Sequence, residues 1–110
     1  MKQYDVYLMP DAVKDLNDIY EYIVEKSGLP EVAWTYIERL RNKCHDFRIA
    51  PMRGQRRDDL RKNLRIAALD KSTVAAFEVD EDKQSVTILN IFYGGRDYET
   101  IMRDSDESMR

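Results

Sequence analysis

The segment from Ser85 to Glu99 limits the possible folds of this chain more than any other stretch. Apolar side chains occupy both alternating sets of positions in it: Val86, Ile88 and Phe92 in one set and Leu89, Ile91 and Tyr93 in the other. Because successive side chains of a strand point to opposite faces, a strand here would be apolar on both faces over its second half. Such a strand belongs in the middle of a sheet. Gly94 and Gly95 then end it, since residues without a Cβ suit a sharp turn.

The first half of the chain predicts one strand followed by two helices. Apolar and polar residues alternate over residues 4–8, which is typical of a strand with one buried face. Pro10 favours the start of a helix, and apolar residues then recur at spacings of three and four until Gly28, which is placed to stop it. Pro30 opens a second amphipathic helix. So short a connection predicts that the two helices lie antiparallel.

Two more strands are predicted ahead of the Ser85 strand, from Leu64 to Leu69 and from Thr73 to Val79, around polar turns. The predicted order is therefore β-α-α-β-β-β, an α+β domain in which an antiparallel β-sheet packs against the N-terminal antiparallel helical hairpin. We expect one domain over residues 1–100. Residues 101–110 are rich in acidic side chains and predict a mobile tail.

Composition narrows the classes of function. A net charge of -3 argues against a protein whose whole surface grips nucleic acid, so direct sequence-specific DNA binding is not expected. Cys44 is the only cysteine, which excludes an internal disulfide and indicates a reducing compartment. The sequence contains neither a signal peptide nor a membrane-spanning run, so we expect a cytoplasmic protein. Its scattered acidic residues predict no metal site, and no cofactor motif is present.

The strongest positive cluster lies between Arg53 and Arg65 and is the first candidate binding surface. Its arginines are Arg53, Arg56, Arg57, Arg61 and Arg65. One interpretation is a solvated loop whose arginines pair in part with Asp58 and Asp59. The other is an interface with acidic side chains of a partner, since the guanidinium group offers a fork of donors.

The turn after the Ser85 strand is the second candidate, through Arg96, Asp97 and Tyr98. These residues could contact a partner, or Asp97 could cap the turn while Tyr98 seals the sheet edge. Trp34 and Tyr36 could likewise belong to the core or to an interface, with helical spacing favouring the core for Tyr36. The only histidine, His45, is expected to be structural or solvent-facing.

The chain resembles the ParE/RelE superfamily, the toxins of bacterial type II toxin–antitoxin pairs. The similarity extends from Tyr4 to about Glu99. It rests on the opening segment 4–12 with Asp15-Leu16, on segment 54–65 including Gly54-Gln55-Arg56-Arg57-Asp58-Asp59-Leu60-Arg61, and on the closing Gly95-Arg96-Asp97-Tyr98-Glu99. The closing residues favour the ParE branch. This resemblance implies a toxin that forms a hetero-oligomer with its antitoxin.

The two branches imply different targets. The ParE branch implies DNA gyrase, inhibited by binding, whereas the RelE branch implies messenger RNA cut on the ribosome. RNA cleavage needs a proton acceptor, a proton donor and cations for the phosphorane-like charge. Arg65, Arg96 and Tyr98 offer cations and a donor, but the sequence indicates no base beside them. We therefore expect a non-enzymatic gyrase inhibitor, with a ribosome-dependent endoribonuclease or an inactive binding module of the same fold as alternatives.

Overall fold

Residues 3–108, which the computed structural model describes, form five strands and three α-helices. Their order is β1 (Asp5–Leu8), α1 (Pro10–Ser27), α2 (Pro30–His45), β2 (Gln55–Arg56), β3 (Leu64–Ala68), β4 (Thr73–Asp80), β5 (Ser85–Tyr93) and α3 (Tyr98–Ser108). A short 3₁₀ helix, Asp46–Arg48, follows α2. The predicted α+β class and element order are confirmed, and β2 and α3 are elements that the sequence did not predict.

Local signals set both ends of the helical hairpin. Each helix has a proline in its first turn, where the missing N–H has no intrahelical partner to lose. Gly28 adopts a φ of 70° after α1, and its N–H donates to the Val24 carbonyl at 2.8 Å. Because this left-handed conformation is costly for a residue with a Cβ, Gly28 both ends α1 and turns the chain into α2.

The strands form one sheet in the order β1-β5-β4-β3-β2. β3, β4 and β5 make the predicted antiparallel meander, and β5 lies between two neighbours, as its apolar faces predicted. β1 pairs with β5 in parallel, so the sheet is mixed. A parallel pair needs a long crossover between its strands, and here the connection contains the helical hairpin and strands β2, β3 and β4.

The sheet carries a core on each face. The hairpin covers one face, where Leu16 and Leu40 pack in the same cluster as Phe77 and Ile88. The opposite face carries a smaller cluster of Leu60, Leu64, Ile66, Ala76, Leu89, Phe92 and Met102. The chain therefore leaves little of either face of the central strands open to solvent.

A β-bulge in β5 decides which residues belong to which core. Ala76 pairs with Asn90 and Phe77 pairs with Ile88, so Leu89 is an extra residue on β5. A one-residue shift moves every later side chain to the other face. Ile91 and Tyr93 therefore join Ile88 on the hairpin face, and Phe92 joins Leu89 on the opposite face. The prediction that Phe92 shares a face with Val86 and Ile88 is wrong for this reason.

Helix α3 covers most of the segment from residue 101 that the sequence predicted to be a mobile tail. Met102 is fully buried in the second core, and Tyr98 and Ile101 pack against the same cluster. Burying these apolar side chains stabilises a helix in a segment whose acidic residues suggested a solvated end. Residues 109 and 110 of the predicted tail lie outside the described part of the chain.

Candidate functional site

The arginines of the basic segment are mostly engaged within the chain. Arg56 forms two hydrogen bonds with the Asp58 carboxylate, at 3.1 and 3.2 Å. Arg61 pairs with Glu78 on β4 at 3.4 Å. Arg53 donates to the Ala50 carbonyl at 3.0 Å, and its guanidinium lies 4.8 Å from the Phe47 ring centroid. The interpretation as a loop partly paired with its own carboxylates is therefore the one that this geometry favours.

Arg57 pairs with Asp59, as one interpretation of the sequence had it, and also contacts Glu99, which the sequence did not indicate. Its guanidinium forms a bidentate pair with Asp59 at 2.9 and 2.8 Å and also lies 3.4 Å from Glu99 on α3. The hydrogen bonds from Arg57 lower the pKa of the Asp59 carboxyl. This arginine thus connects the basic segment to the C-terminal helix.

Asp97 and Tyr98 also carry structural roles. The Thr100 N–H donates to Asp97 Oδ1 at 3.2 Å, and the Thr100 hydroxyl donates to Asp97 Oδ2 at 2.7 Å. These bonds lower the pKa of Asp97 and make it the N-cap of α3. The half-buried Tyr98 packs against Phe92, with ring centroids 6.1 Å apart. Asp97 thus caps the turn into α3, and Tyr98 packs on the second core of the sheet.

Arg65 and Arg96 line different hollows. Arg65 on β3 is opposite Phe77, and it lines a hollow of about 560 Å³ together with Glu78, Asp80 and Lys83. Arg96 lies in the turn after β5, lines a second hollow together with Tyr93, and has its guanidinium carbon 6.0 Å from the Phe92 ring centroid. Arg65 donates weakly to the carbonyls of Met52 and Arg53, at 3.4 and 3.5 Å. Within residues 3–104, neither Arg65 nor Arg96 forms an ion pair.

The second hollow, called here the Asp15 hollow, lies between α1 and the end of β5 and has a volume of about 290 Å³. It is lined by Asp15, Asp18, Ile19, Tyr22, Ile91, Tyr93, Gly94 and Arg96. Of the predicted site residues only Arg96 lies there. Two carboxylates, two tyrosine rings and an exposed arginine thus line this hollow.

Asp15 is the central side chain of this hollow. The backbone N–H of Ile91 donates to Asp15 Oδ2 at 2.8 Å, and the side-chain amide of Asn90 donates to the same oxygen at 3.1 Å. These donors come directly after the bulged Leu89. Burial raises the pKa of Asp15, although the bonds from Ile91 and Asn90 and the charge of Arg96 partly offset this.

Sequence reasoning missed Asp15 as a site residue, although a signal was present. Asp15 follows Ala12 by three positions and precedes Ile19 by four, which places a carboxylate on the buried stripe of α1. A charged residue at such a position needs hydrogen-bond partners across the interface. The partners are more than seventy residues away and could not be identified from α1 alone.

The remaining candidates are aromatic residues and histidine. Tyr36 is half-buried, and its hydroxyl donates to Asp70 Oδ2 at 2.7 Å, which supports the core interpretation. Trp34 is 59% exposed and so belongs to the surface. His45 is exposed, as predicted. Cys44 is buried, and this burial raises the pKa of its thiol to about 11.

These elements define an α+β fold shared with solved toxin–antitoxin structures. The chromosomal ParDE system from P. aeruginosa matches with a TM-score of 0.70 and 21% identity, over 84% of this chain and 97% of that chain. The RelBE2 toxin–antitoxin complex from Mycobacterium tuberculosis matches with a TM-score of 0.55 and 17% identity, over 83% of this chain and 98% of that chain. No curated protein matches the sequence.

Residues 6–98 match the family described as ParE toxin of type II toxin-antitoxin system, parDE. The chain belongs to this family and is a type II toxin of the ParE/RelE fold. Among residues 3–108, no helix is both long and apolar enough to cross a membrane.

Proposed function

We propose that this toxin acts in the cytoplasm by binding and inhibiting DNA gyrase, and that a cognate antitoxin neutralises it. The observation that carries the proposal is the match to the ParE family over residues 6–98. The resemblance of the Gly95-Arg96-Asp97-Tyr98-Glu99 ending to ParE supports the same target. Inhibition by binding requires a surface that prefers one state of the target and needs no proton-transfer residues.

The engagement of the arginines supports binding over RNA cleavage. A ribonuclease site would bring cations together to stabilise the charge on the transferring phosphate. In this chain Arg57 and Arg61 face carboxylates of the same chain, and Arg65 and Arg96 line separate hollows. Arg96 is an exposed cation within the Gly95-Arg96-Asp97-Tyr98-Glu99 segment, and we assign it to the contact with gyrase.

The decisive experiment compares the two targets directly. Purified toxin is added to a gyrase supercoiling reaction and, in parallel, to translating ribosomes whose messenger is mapped for cuts. We expect supercoiling to stop while the messenger stays intact. Cuts in the messenger with supercoiling unaffected would refute the proposal, and no effect in either reaction would point to a third target.

A variant pair makes this experiment specific. Arg96→Gln should weaken inhibition about tenfold, equivalent to about 1.4 kcal/mol, because it removes an exposed charged side chain from the proposed contact. The matched control is Lys71→Gln, because Lys71 is also an exposed cation and lies in the β3–β4 turn. This variant should inhibit normally. Equal inhibition by both variants would remove Arg96 from the contact.

A further inference from the structure

The Asp15 hollow has walls of two different kinds. The rings of Tyr22 and Tyr93 meet edge to face, with centroids 5.8 Å apart. Ile19 and Ile91, both buried, contribute apolar surface. Asp15 contributes a half-buried carboxylate. A hollow of this composition suits a side chain that is flat and positively charged.

The charges around the hollow are unevenly compensated. Both hydrogen bonds to Asp15 end on Oδ2, so among the described residues Oδ1 has no hydrogen-bond partner. Asp18 pairs with Lys14 at 3.0 Å, but both side chains are at least half exposed, and such a pair stabilises little. Arg96 lies on the exposed turn at the rim, whereas Asp15 is fixed by its bonds to β5. The fixed charge inside the hollow is therefore negative.

We infer that the Asp15 hollow receives an arginine side chain of the antitoxin. This inference rests on the proposed antitoxin partner and adds the chemistry of one contact. A guanidinium group can donate to Asp15 Oδ1 while its plane stacks on a tyrosine ring, which the compact, strongly hydrated ammonium of lysine does less well. An antitoxin segment seated there would also cover the neighbouring Arg96, which explains how binding could neutralise the toxin.

The surface continues beyond Tyr93 in a way that suits a chain segment rather than a free amino acid. Tyr93 also meets Tyr36 edge to face, with centroids 5.7 Å apart. Tyr93 also lines a different, neighbouring hollow, whose lining includes Ile23 and Val32. A segment that places arginine in the Asp15 hollow can therefore place an apolar side chain in the next one.

The first test needs no antitoxin. N-acetyl-arginine methylamide is titrated into ¹⁵N-labelled toxin, with N-acetyl-citrulline methylamide as the uncharged analogue of the same shape. We expect the arginine compound alone to shift the backbone amides of Tyr22, Ile91, Tyr93 and Gly94. Equal shifts with both compounds, or shifts spread over the acidic surface, would overturn the inference.

Variants identify the carboxylate. Asp15→Asn keeps an oxygen that can accept from the Ile91 N–H but removes the charge, and it should weaken the arginine compound at least about tenfold. Asp11→Asn is the control, because Asp11 is an exposed carboxylate on the same helix outside the hollow. It should bind normally, and equal losses in the two variants would reduce the effect to general charge. The unfolding midpoint of each variant verifies that the fold is retained.

The second test uses the proposed cognate antitoxin. Asp15→Asn should weaken the complex at least about tenfold, and Asp11→Asn should leave it unchanged. An unchanged complex with Asp15→Asn would overturn the inference even if gyrase is inhibited. Binding of the arginine compound and an Asp15-dependent antitoxin complex would uphold it even if gyrase is not the target.

Discussion

At the scale of the residue, the Tyr36 side chain links helix α2 to the sheet. Its hydroxyl donates to Asp70 and lies 2.6 Å from the hydroxyl of the buried Thr73. Burial raises the pKa of Tyr36 to about 12. Burial also acts to raise the pKa of Asp70, but hydrogen bonds from Tyr36, Ser72 and Thr73 outweigh it and leave the pKa lowered. The α2 helix is thus tied to the β3–β4 turn by polar contacts as well as by packing.

Tyr36→Phe should lower the free energy of unfolding by about 1–2 kcal/mol at neutral pH, because it leaves Asp70 and Thr73 without one partner. Since the pKa of Asp70 is lower in the folded state, its stabilisation is present above the unfolded pKa of about 3.9 and is lost as the pH falls through the folded value. The cost of the substitution should therefore shrink in acid. Urea unfolding across pH measures this, with Tyr7→Phe, at an exposed tyrosine, as the control.

At the scale of the element, α3 is the least expected part of the structure. The cap at Asp97 is local and stabilises the start of the helix. The pair between Arg57 and Glu99 and the buried Met102 hold the helix against the second face of the sheet, and both contacts reach residues distant in sequence. The acidic composition after residue 103 concealed a helix whose first turns are amphipathic.

Met102→Ala should lower the free energy of unfolding by about 2–5 kcal/mol, because it leaves a cavity among Leu60, Leu64 and Phe92. Arg103→Ala is the neighbouring control at an exposed position with similar helix propensity, and it should change stability by less than about 0.5 kcal/mol. Chemical denaturation followed by far-UV circular dichroism gives both values. If both substitutions cost the same, α3 does not contribute to the core.

At the scale of the whole molecule, the bulge at Leu89 distributes the apolar residues of β5 between two cores. The hairpin core holds Ile88 and Ile91, and the α3 core holds Leu89 and Phe92. Asp15 accepts the backbone N–H of Ile91 directly after the bulge. One carboxylate on α1 therefore bonds to β5 at the point where its residues change faces, and the same side chain lines the hollow proposed to bind the antitoxin.

Inserting one alanine between Asn90 and Ile91 should strongly destabilise the fold, because it would move Ile91, Phe92 and Tyr93 to the wrong faces of the sheet. Inserting one alanine after Asp82, in the exposed turn before β5, lengthens the chain equally but leaves the register of β5 intact, and this control should fold. Near-UV circular dichroism and thermal unfolding distinguish the two proteins. Equal thermal stability of the two insertion variants would show that the faces of the residues after Asn90 do not matter for the fold.

The sequence by itself determined the elements whose signals are local. Prolines at positions 10 and 30, Gly28 and the spacing of apolar residues define the hairpin, and apolar residues on both faces of β5 predicted a strand with two neighbours. The segment Gly95-Arg96-Asp97-Tyr98-Glu99, which resembles ParE, also pointed to Arg96, which lines the Asp15 hollow.

Only the tertiary structure decided the parallel pairing of β1, the faces of β5 after Leu89, the docking of α3 and the position of Asp15 beside Ile91. Each of these depends on groups that are distant in sequence and become neighbours only when the sheet forms. Alternation gives the period of a strand but not its direction, and it does not indicate where an extra residue interrupts the ladder. The ion pairs of Arg57 and Arg61 also depend on the tertiary structure, because their partners Glu99 and Glu78 lie on other elements.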